Sequence, residues 1–240
     1  MPGYQTKQEQ VDIAGAASLM IRSLLDRQQF SDPLGAAARL GISSATWPLF
    51  GLLWPSGAHL AARMAAHVLQ PGQRILEVGC GLALASLVGH RRGADVTASD
   101  CHPLAAEFLQ FNLQLNGLLP MKYRHGEWDS TLEGGALQDA VSQRYELIIG
   151  SDVLYDRDAS AALAGFIGRH ASDCAASEVW IVDPERGNRP GFTRLMTAQG
   201  YALEQLRLDT QSTLTQPAYR GRLLWYRRLA QAAVVATAAA

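Results

Sequence analysis

The amino-acid sequence predicts an α/β fold: a doubly wound, seven-stranded sheet, mostly parallel with an antiparallel last strand, plus an N-terminal helical extension. Beyond residue 73, short apolar segments rich in β-branched residues alternate with segments of helical apolar spacing. The first such strand runs directly into a Gly-x-Gly turn and a helix. The last two strand segments, residues 201–209 and 221–228, are joined by a connection too short for a crossover helix. We therefore expect them to pair antiparallel at one edge.

The segment before the sheet is predicted to be helical. Apolar side chains recur at helix-like intervals in residues 9–29, namely Val11, Ile13, Leu19, Ile21, Leu24 and Leu25, and Ser31-Asp32-Pro33 is a typical helix end. The last residues of the chain, AQAAVVATAAA, are of low complexity, which is typical of a flexible tail. The expected organisation is an N-terminal helical extension over residues 1–45, one α/β domain over 46–229 and a tail over 230–240.

Strands and helices alternate through the middle of the chain. The predicted strands are residues 74–79, 95–100, 121–125, 145–151 and 178–183. The predicted helices are residues 82–92, 103–116, 156–171 and 189–199, and a further helix runs from about Ala58 to Leu69 before Pro71-Gly72. This alternation is typical of a parallel sheet with helices on both faces, because each parallel pair needs a crossover connection.

Composition limits the possible functions. The chain has 240 residues and a formal net charge of −1, which gives no electrostatic basis for binding nucleic acid. No apolar segment reaches the ~18 residues of a transmembrane helix, and the N-terminus lacks the apolar core of a secretory signal, so no membrane partner is expected. The cysteines Cys80, Cys101 and Cys174 lack metal-binding spacing and fit a reducing compartment. We expect no metal site and a cytoplasmic location.

The centre of the predicted site is the turn Gly79-Cys80-Gly81. Glycine is needed where the backbone approaches a ligand closely, because a Cβ would block that approach. Glu77 precedes the turn, and its carboxylate would repel a pyrophosphate but would suit a ligand that carries an amine or another cation. The dinucleotide fingerprint also requires glycine at position 84, where this chain has Leu84. Leu84 therefore weakens the case for NAD, and the strand, Gly-x-Gly turn and helix together with the acid at the end of the next strand predict a nucleoside-containing cofactor.

Acidic residues follow the next two strands. Asp100 ends the second strand, at a spacing where an acid accepts hydrogen bonds from ribose hydroxyls. Its alternative role is to cap the following helix. Glu127 and Trp128 follow the third strand, where an acid binds the adenine amino group and an aromatic ring covers the base. The alternative is an exposed loop whose tryptophan packs on the surface.

The fourth strand ends in Ser151-Asp152-Val153-Leu154-Tyr155. Asp152 and Tyr155 are expected at the carboxyl edge of the sheet, where open α/β sheets bind ligands. An acid there orients an amine, and an aromatic ring accommodates a cation. The alternative is an ordinary strand end in which Asp152 caps the next helix.

Taken together, these motifs resemble a known family. Trp54-Pro55-Ser56-Gly57, the glycine turn with Glu77, Asp100, Trp128 and the D-x-x-Y motif at Asp152–Tyr155 are similar to class I, seven-β-strand S-adenosylmethionine-dependent methyltransferases, specifically the D-x-x-Y protein lysine methyltransferases. The chain resembles the branch containing the electron-transfer flavoprotein β-subunit lysine methyltransferase, which shares W-P-x-G and a D-P-x-R segment, here Asp183-Pro184-Glu185-Arg186. The resemblance covers roughly residues 47–228 and implies a Rossmann-like fold. The chain has Ala83 where the family has its third glycine.

The resemblance implies the cofactor and the role of each residue. S-adenosyl-L-methionine is the implied cofactor, and Asp152 and Tyr155 would face the methyl acceptor. An alternative role for Trp54 is an anchor in the core. With Glu127 added for the adenine, the expected cofactor-binding residues are Trp54, Glu77, Gly79, Cys80, Gly81, Asp100, Glu127, Trp128 and Ser151.

The expected reaction is methyl transfer to a lysine ε-amine of a protein. The sulfonium is already a strong electrophile, so the protein has mainly to position the attacking lone pair in line. Two alternatives stay open, a small-molecule N-methyltransferase on the same fold and a non-catalytic cofactor-binding module. The sequence does not specify the acceptor, the methylation degree or the oligomeric state.

Overall fold

A computed structural model describes residues 3–129, 139–212 and 218–229. Its main feature is a seven-stranded sheet in the order β5-β4-β3-β6-β7-β9-β8. The strands of this sheet are β3 (Arg74–Val78), β4 (Asp95–Asp100), β5 (Lys122–His125), β6 (Leu147–Ser151), β7 (Glu178–Asp183), β8 (Tyr201–Arg207) and β9 (Arg222–Arg228). The helices are α1 (Ala36–Arg39), α2 (Pro55–Ala66), α3 (Leu84–Arg91), α4 (Ala105–Leu115), α5 (Arg157–His170) and α6 (Arg189–Ala198), with a 3₁₀ turn at Trp47–Gly51.

The predicted α/β sheet is confirmed. Strands β3 to β7 pair in parallel, and the antiparallel strand is β9, which lies between β7 and β8. The two last strands therefore pair antiparallel at one edge, as the short connection predicts. The tail predicted over residues 230–240 lies outside the described residues. Within the described ranges, no helix combines the length and the apolar character needed to span a membrane.

The sheet separates two apolar cores. Alternate residues of β3 face opposite sides, because side chains in a strand alternate in direction. Ile75 packs in the cluster that contains Leu60 of α2 and Phe108 of α4, whereas Leu76 packs with Leu163 of α5. Each such fully buried side chain stabilises the fold by about 1.5–3 kcal/mol. This packing on both faces holds the strand ends rigidly enough to support a site.

The predicted N-terminal helix over residues 9–29 is wrong. These residues form most of an antiparallel hairpin of β1 (Thr6–Val11) and β2 (Leu19–Leu24). Leu19 and Ile21 are buried while Met20 between them is exposed, so the actual period is two. The connection contains Gly15 at φ 79, a left-handed turn conformation that a helix interior does not use. Within the predicted extension, the only helix among the described residues is the single turn α1.

The strand order creates the crevice in which a ligand is expected. The chain moves from β3 to β4 and β5 on one side, then returns to place β6 on the other side of β3. Ligands bind at such a reversal, beyond the carboxyl ends of the strands. The glycine turn, Asp100 and Asp152 all follow or end strands at this edge.

Candidate active site

A cavity of about 750 Å³ opens at the reversal. Its wall brings together residues from the ends of β3, β4 and β6, the loop after β5 and the segment before α2. All eleven residues predicted for the site line it, namely Trp54, Glu77, Gly79, Cys80, Gly81, Asp100, Glu127, Trp128, Ser151, Asp152 and Tyr155. Proximity to the cavity does not itself assign their roles, which stay predictions.

The floor of the cavity is the turn that follows β3. Gly79 and Gly81 have φ values of 55° and 51°, which disfavour any residue with a side chain. A Cβ on Gly79 would lie 2.9 Å from Cγ1 of Val153, and one on Gly81 would lie 2.8 Å from the carbonyl oxygen of Phe50. The glycines thus permit a backbone cradle in which a Cβ would meet neighbouring atoms. Ala83 occupies the third position at φ 59 and accepts the strain that a glycine would avoid.

Glu77 is buried and fastens the helix that follows the turn. Its Oε2 accepts a 2.8 Å hydrogen bond from the backbone N–H of Ser86 and another from the Ser86 hydroxyl. The N-cap residue of α3, Ala83, has no side-chain acceptor, so the Glu77 carboxylate takes over that role at the positive end of the helix. Burial raises the pKa of Glu77 to about 7, and the bonds from Ser86 oppose that rise.

Asp100 fastens the same turn from the neighbouring strand. Its Oδ2 accepts from the backbone N–H of Gly81 at 2.9 Å, and its Oδ1 accepts from the backbone N–H of His102 at 2.9 Å. Burial raises its pKa. Helix α4 begins at Ala105 with Leu104 as its N-cap, so Asp100 is not the helix cap proposed as its alternative role. Each oxygen retains a second lone pair for a ligand hydroxyl.

Trp128 lies against the glycine turn rather than on the outer surface. A Cβ on Gly79 would be 3.2 Å from its ring, and its indole nitrogen is buried without a hydrogen-bond partner among the described residues. Glu127 accepts through Oε1 from the backbone N–H groups of Trp128 and Asp129, at 2.9 and 3.3 Å. The loop is thereby held in one conformation with the indole beside the cavity.

Trp54 is half-buried and lies at the start of α2. Its indole nitrogen donates to the carbonyl of Leu49 at 2.9 Å, which fixes the ring plane. The Arg27 guanidinium lies 5.0 Å from its ring centroid. The role of core anchor belongs instead to Trp47, which is 1% exposed and packs edge-on against Phe50. Trp54 is therefore available to the cavity.

The D-x-x-Y motif follows β6 and lines the cavity next to the glycine turn, because a Cβ on Gly79 would lie 2.9 Å from Cγ1 of Val153. Asp152 has φ 59, and its side chain is 10% exposed. Burial raises its pKa, whereas Ser56 and the charge of Arg186 lower it. Helix α5 is capped by Asp156, which accepts from two backbone N–H groups, so the capping role considered for Asp152 is wrong. Tyr155 is 52% exposed at the cavity mouth, and desolvation raises its pKa to about 12, which keeps the phenol protonated at neutral pH.

Arg186 was not predicted as a site residue, although its motif was noted. Its guanidinium donates to the carbonyl oxygen of Asp152 and to Oδ1 of the same residue, both at 3.0 Å. Asp183 positions the arginine by accepting its backbone N–H at 2.9 Å, and burial raises the Asp183 pKa to about 6. Strands β6 and β7 are paired neighbours, with Ser151 opposite Val182. The sequence contained a signal for this arrangement. Asp152 follows β6 and Asp183 ends β7, and the carboxyl ends of adjacent parallel strands meet at one edge of the sheet.

His102 was also not predicted. It is buried and stacks on Phe50 with 3.8 Å between the ring centroids and 9° between the planes. Its Nδ1 accepts from the backbone N–H of Leu104, so the proton is on Nε2. Burial lowers its pKa to about 4, and it is therefore neutral. Together with Phe50 it gives the cavity an uncharged aromatic wall beside Asp100.

Comparison with known proteins agrees with this geometry. The chain is 25% identical over 173 residues to the electron transfer flavoprotein beta subunit lysine methyltransferase of Xenopus laevis, covering 70% of this chain and 66% of that protein. It is 32% identical over 126 residues to a protein N-lysine methyltransferase of Danio rerio, covering 52% and 54%. The chain thus spans less than two thirds of the length of these relatives.

The fold has a counterpart among solved structures. Magnesium protoporphyrin IX methyltransferase from Synechocystis, with bound S-adenosylmethionine, superposes with a TM-score of 0.54 at 18% identity, covering 72% of this chain and 78% of that one. At this identity the likeness shows the fold alone. The sequence profile described as "Lysine methyltransferase" matches residues 50–186, which is more than half of the chain and includes the glycine turn, the D-x-x-Y motif and Arg186. The chain belongs to this lysine methyltransferase family.

Proposed function

We propose that this protein transfers a methyl group from S-adenosylmethionine to a lysine ε-amine of a protein substrate. The observation that carries the proposal is one cavity whose wall contains both a glycine cradle and, next to it, the Asp152–Arg186 pair with Tyr155. The first feature suits a nucleoside-containing cofactor, and the second suits an amine acceptor.

The residues present fit this cofactor. Gly79 and Gly81 form the cradle, and a Cβ added at either position would clash with neighbouring protein atoms. Asp100 retains lone pairs for ribose hydroxyls. Trp128 lies beside that cradle with an unpaired indole N–H, and Glu127 accompanies it for the adenine amino group. When bound, S-adenosylmethionine supplies a methyl group on a positively charged sulfur. The proposed cofactor-binding residues are Trp54, Glu77, Gly79, Cys80, Gly81, Asp100, Glu127, Trp128 and Ser151.

Asp152 and Tyr155 would orient the acceptor. A free lysine has a pKa of about 10.4, so the amine must lose its proton before attack. Arg186 pairs with the Asp152 carboxylate and opposes the rise in its pKa that burial causes, and the carboxylate remains a hydrogen-bond acceptor. Asp152 therefore directs the amine lone pair, the exposed Tyr155 ring flanks the side chain, and the proton leaves to solvent. In-line orientation of this kind supplies most of the rate enhancement available to a pre-activated donor.

The proposed partner is a protein that presents an exposed lysine. The proposed location is the cytoplasm, which is supported by the free thiols of Cys80, Cys101 and Cys174 in the described structure, as in a reducing compartment. The relatives reported in the previous subsection are named as protein lysine methyltransferases, and Asp152–Tyr155 has the D-x-x-Y pattern that the sequence resemblance associates with such enzymes.

Labelling of a host lysate tests the proposal. The purified protein is incubated with methyl-labelled S-adenosylmethionine and lysate, and the label is followed into proteins and into small molecules. Incorporation into a protein, with methyl-lysine recovered after hydrolysis, supports the proposal. Label only in small molecules would instead identify a small-molecule N-methyltransferase. Cofactor binding without labelled product would favour a non-catalytic cofactor-binding module, and absence of cofactor binding by calorimetry would contradict the proposal.

A further inference from the structure

We propose that Arg27, from the N-terminal segment, binds the α-carboxylate of the cofactor's methionine portion. Arg27 lies outside the region that matches the family profile, residues 50–186. The proposal depends on S-adenosylmethionine as cofactor but not on lysine as acceptor. It gives the N-terminal segment a direct part in cofactor binding.

Arg27 lies at the mouth of the cavity. It follows strand β2, is exposed, and lines both the main cavity and a smaller adjoining one of about 250 Å³. Its guanidinium lies 5.0 Å from the centroid of the Trp54 ring. Because the Trp54 indole is fixed by its bond to Leu49, the ring provides a stable surface over which the guanidinium is held.

The charges around the cavity favour an anionic ligand group at Arg27. The acidic residues that line the cavity are Glu77, Asp100, Glu127, Asp129, Asp152 and Asp158. Among the described lining residues, the only permanent cations are Arg27 and Arg186. Arg186 is already paired with Asp152, whereas Arg27 makes no hydrogen bond or ion pair within the described part of the chain. The donors of one of the two lining guanidinium groups are therefore unused.

The cofactor carries one group that needs such a donor. S-adenosylmethionine has a cationic sulfonium and a cationic amino group, which suit the acidic wall, and a single carboxylate, which does not. Guanidinium groups bind carboxylates through two parallel hydrogen bonds, and this charge-assisted pairing is stronger than a neutral one. Arg27 is the unpaired cation of the wall, so the carboxylate is assigned to it.

The hairpin holds Arg27 in place. Leu25 donates its backbone N–H to the carbonyl of Gln5 at 3.0 Å, which extends the pairing of β1 and β2 to within two residues of Arg27. Leu24 is fully buried against Gly51, where a Cβ would lie 2.6 Å from its Cγ. The adjacent acid, Asp26, accepts from Gln28 and Gln29 and so does not neutralise Arg27. The arginine is therefore anchored at its backbone and free at its guanidinium.

Calorimetry with two matched ligands tests the proposal. S-adenosylmethionine and its decarboxylated form differ only in the carboxylate, so their affinity ratio measures the interaction in question. We expect Arg27→Ala to weaken S-adenosylmethionine binding roughly tenfold or more and to change binding of the decarboxylated ligand by less than about twofold. Arg27→Lys should retain part of the difference, because it keeps the charge but loses the fork geometry. Arg194→Ala, an exposed arginine of α6 outside the cavity wall, is the charge-matched control.

Three results would overturn the proposal. Equal weakening of both ligands by Arg27→Ala would show a structural role for the residue. Unchanged binding of both ligands would show no role in cofactor binding. Unchanged binding with reduced protein methylation would place Arg27 at the acceptor instead. Because the readout is binding, failure of the lysine proposal alone leaves this test intact.

Discussion

Two adjacent parts of the cavity wall, the cofactor end at the glycine turn and the acceptor end at the D-x-x-Y motif, use buried acids in different ways. At the glycine turn, Glu77 and Asp100 accept hydrogen bonds from backbone N–H groups of Ser86, Gly81 and His102. At the D-x-x-Y end, Asp152 is held by a side chain, the guanidinium of Arg186. Backbone donors are fixed by the fold itself, whereas a side-chain donor adds its own rotamers and its own charge. The comparison indicates a rigid cofactor end and an acceptor end whose geometry depends on one ion pair.

The strongest test of this difference is Asp152→Ala. We expect the single-turnover rate at saturating cofactor to fall by about 100-fold or more, because an unoriented amine loses its in-line geometry. Cofactor binding should largely be retained, since Ser151 rather than Asp152 is the proposed cofactor contact at the end of β6. Asp152→Asn is the control that keeps the left-handed φ of 59, which asparagine tolerates, while removing the charge. Wild-type turnover in Asp152→Ala would refute the proposed acceptor role.

A second variant, Arg186→Met, should show that the acceptor end depends on its ion pair. We expect turnover to fall about tenfold and the free energy of unfolding to fall by about 1–3 kcal/mol. The stability loss is smaller than for a fully buried pair because the guanidinium is 28% exposed. Arg222→Met, which breaks only the nearby pair with Glu185, is the matched control for kinetics and for urea unfolding. Equal effects of the two variants would mean that Arg186 has no special role.

At the rigid end, Asp100→Ala should weaken cofactor binding and loosen the turn. Loss of a charge-assisted contact to ribose should cost about 1.5–3 kcal/mol in calorimetry with S-adenosylhomocysteine. Asp100→Asn should not rescue binding, because both oxygens face backbone N–H donors and an amide would turn its NH₂ group toward one of them. If the dissociation constant of the folded variant matched the wild type, Asp100 would serve only to hold the turn.

The smallest expected effect concerns pH and stability. The pKa of Glu77 is raised to about 7 in the fold from a model-peptide value of 4.5, so the folded state binds the proton more tightly than the unfolded chain. Its contribution to stability is therefore greatest below about pH 4.5 and is lost as the pH rises through about 7. Glu77→Gln retains an acceptor for the Ser86 N–H and removes this titration.

We expect the wild type to lose on the order of 1–2 kcal/mol of unfolding free energy between about pH 5 and pH 8 relative to Glu77→Gln. Parallel urea titrations of the two proteins across that range provide the measurement. Identical pH profiles would show that Glu77 stays ionised in the fold throughout.

The central fold was predictable because its signals are local. A strand rich in β-branched residues that runs into Gly79-Cys80-Gly81 predicts a strand, turn and helix at this point. The structure shows why glycine is needed there, because Gly79 and Gly81 have positive φ values and a Cβ at either position would meet a close contact. The N-terminal hairpin was not predictable from the same kind of signal. Ile21, Leu24 and Leu25 fit a helical pattern, whereas Leu19 and Ile21 fit an alternating one. Packing against α4 decides between the two.

Side-chain pairing between distant segments was the second feature that the sequence did not predict. The sequence placed Asp152 and Arg186 in separate motifs, and only the pairing of β6 with β7 brings them within 3.0 Å. The sequence did not indicate a binding role for Arg27, because that role depends on which other charged residues line the cavity and which of them are already paired. These pairings can be identified only from the folded structure.

Asn112 of α4 and Asn116, the C-cap residue of the same helix, have a consequence for association between chains. Asn116 exchanges two hydrogen bonds with the backbone of Met20, and Asn112 exchanges two with the backbone of Arg22. These backbone N–H and C=O groups of Met20 and Arg22 point away from β1, and a further strand would otherwise pair with them. An open strand edge is a template for pairing with another chain and for aggregation. By occupying alternate positions along this edge, a helix with two amides at a spacing of four residues closes the hairpin to edge-to-edge association, as a third strand would.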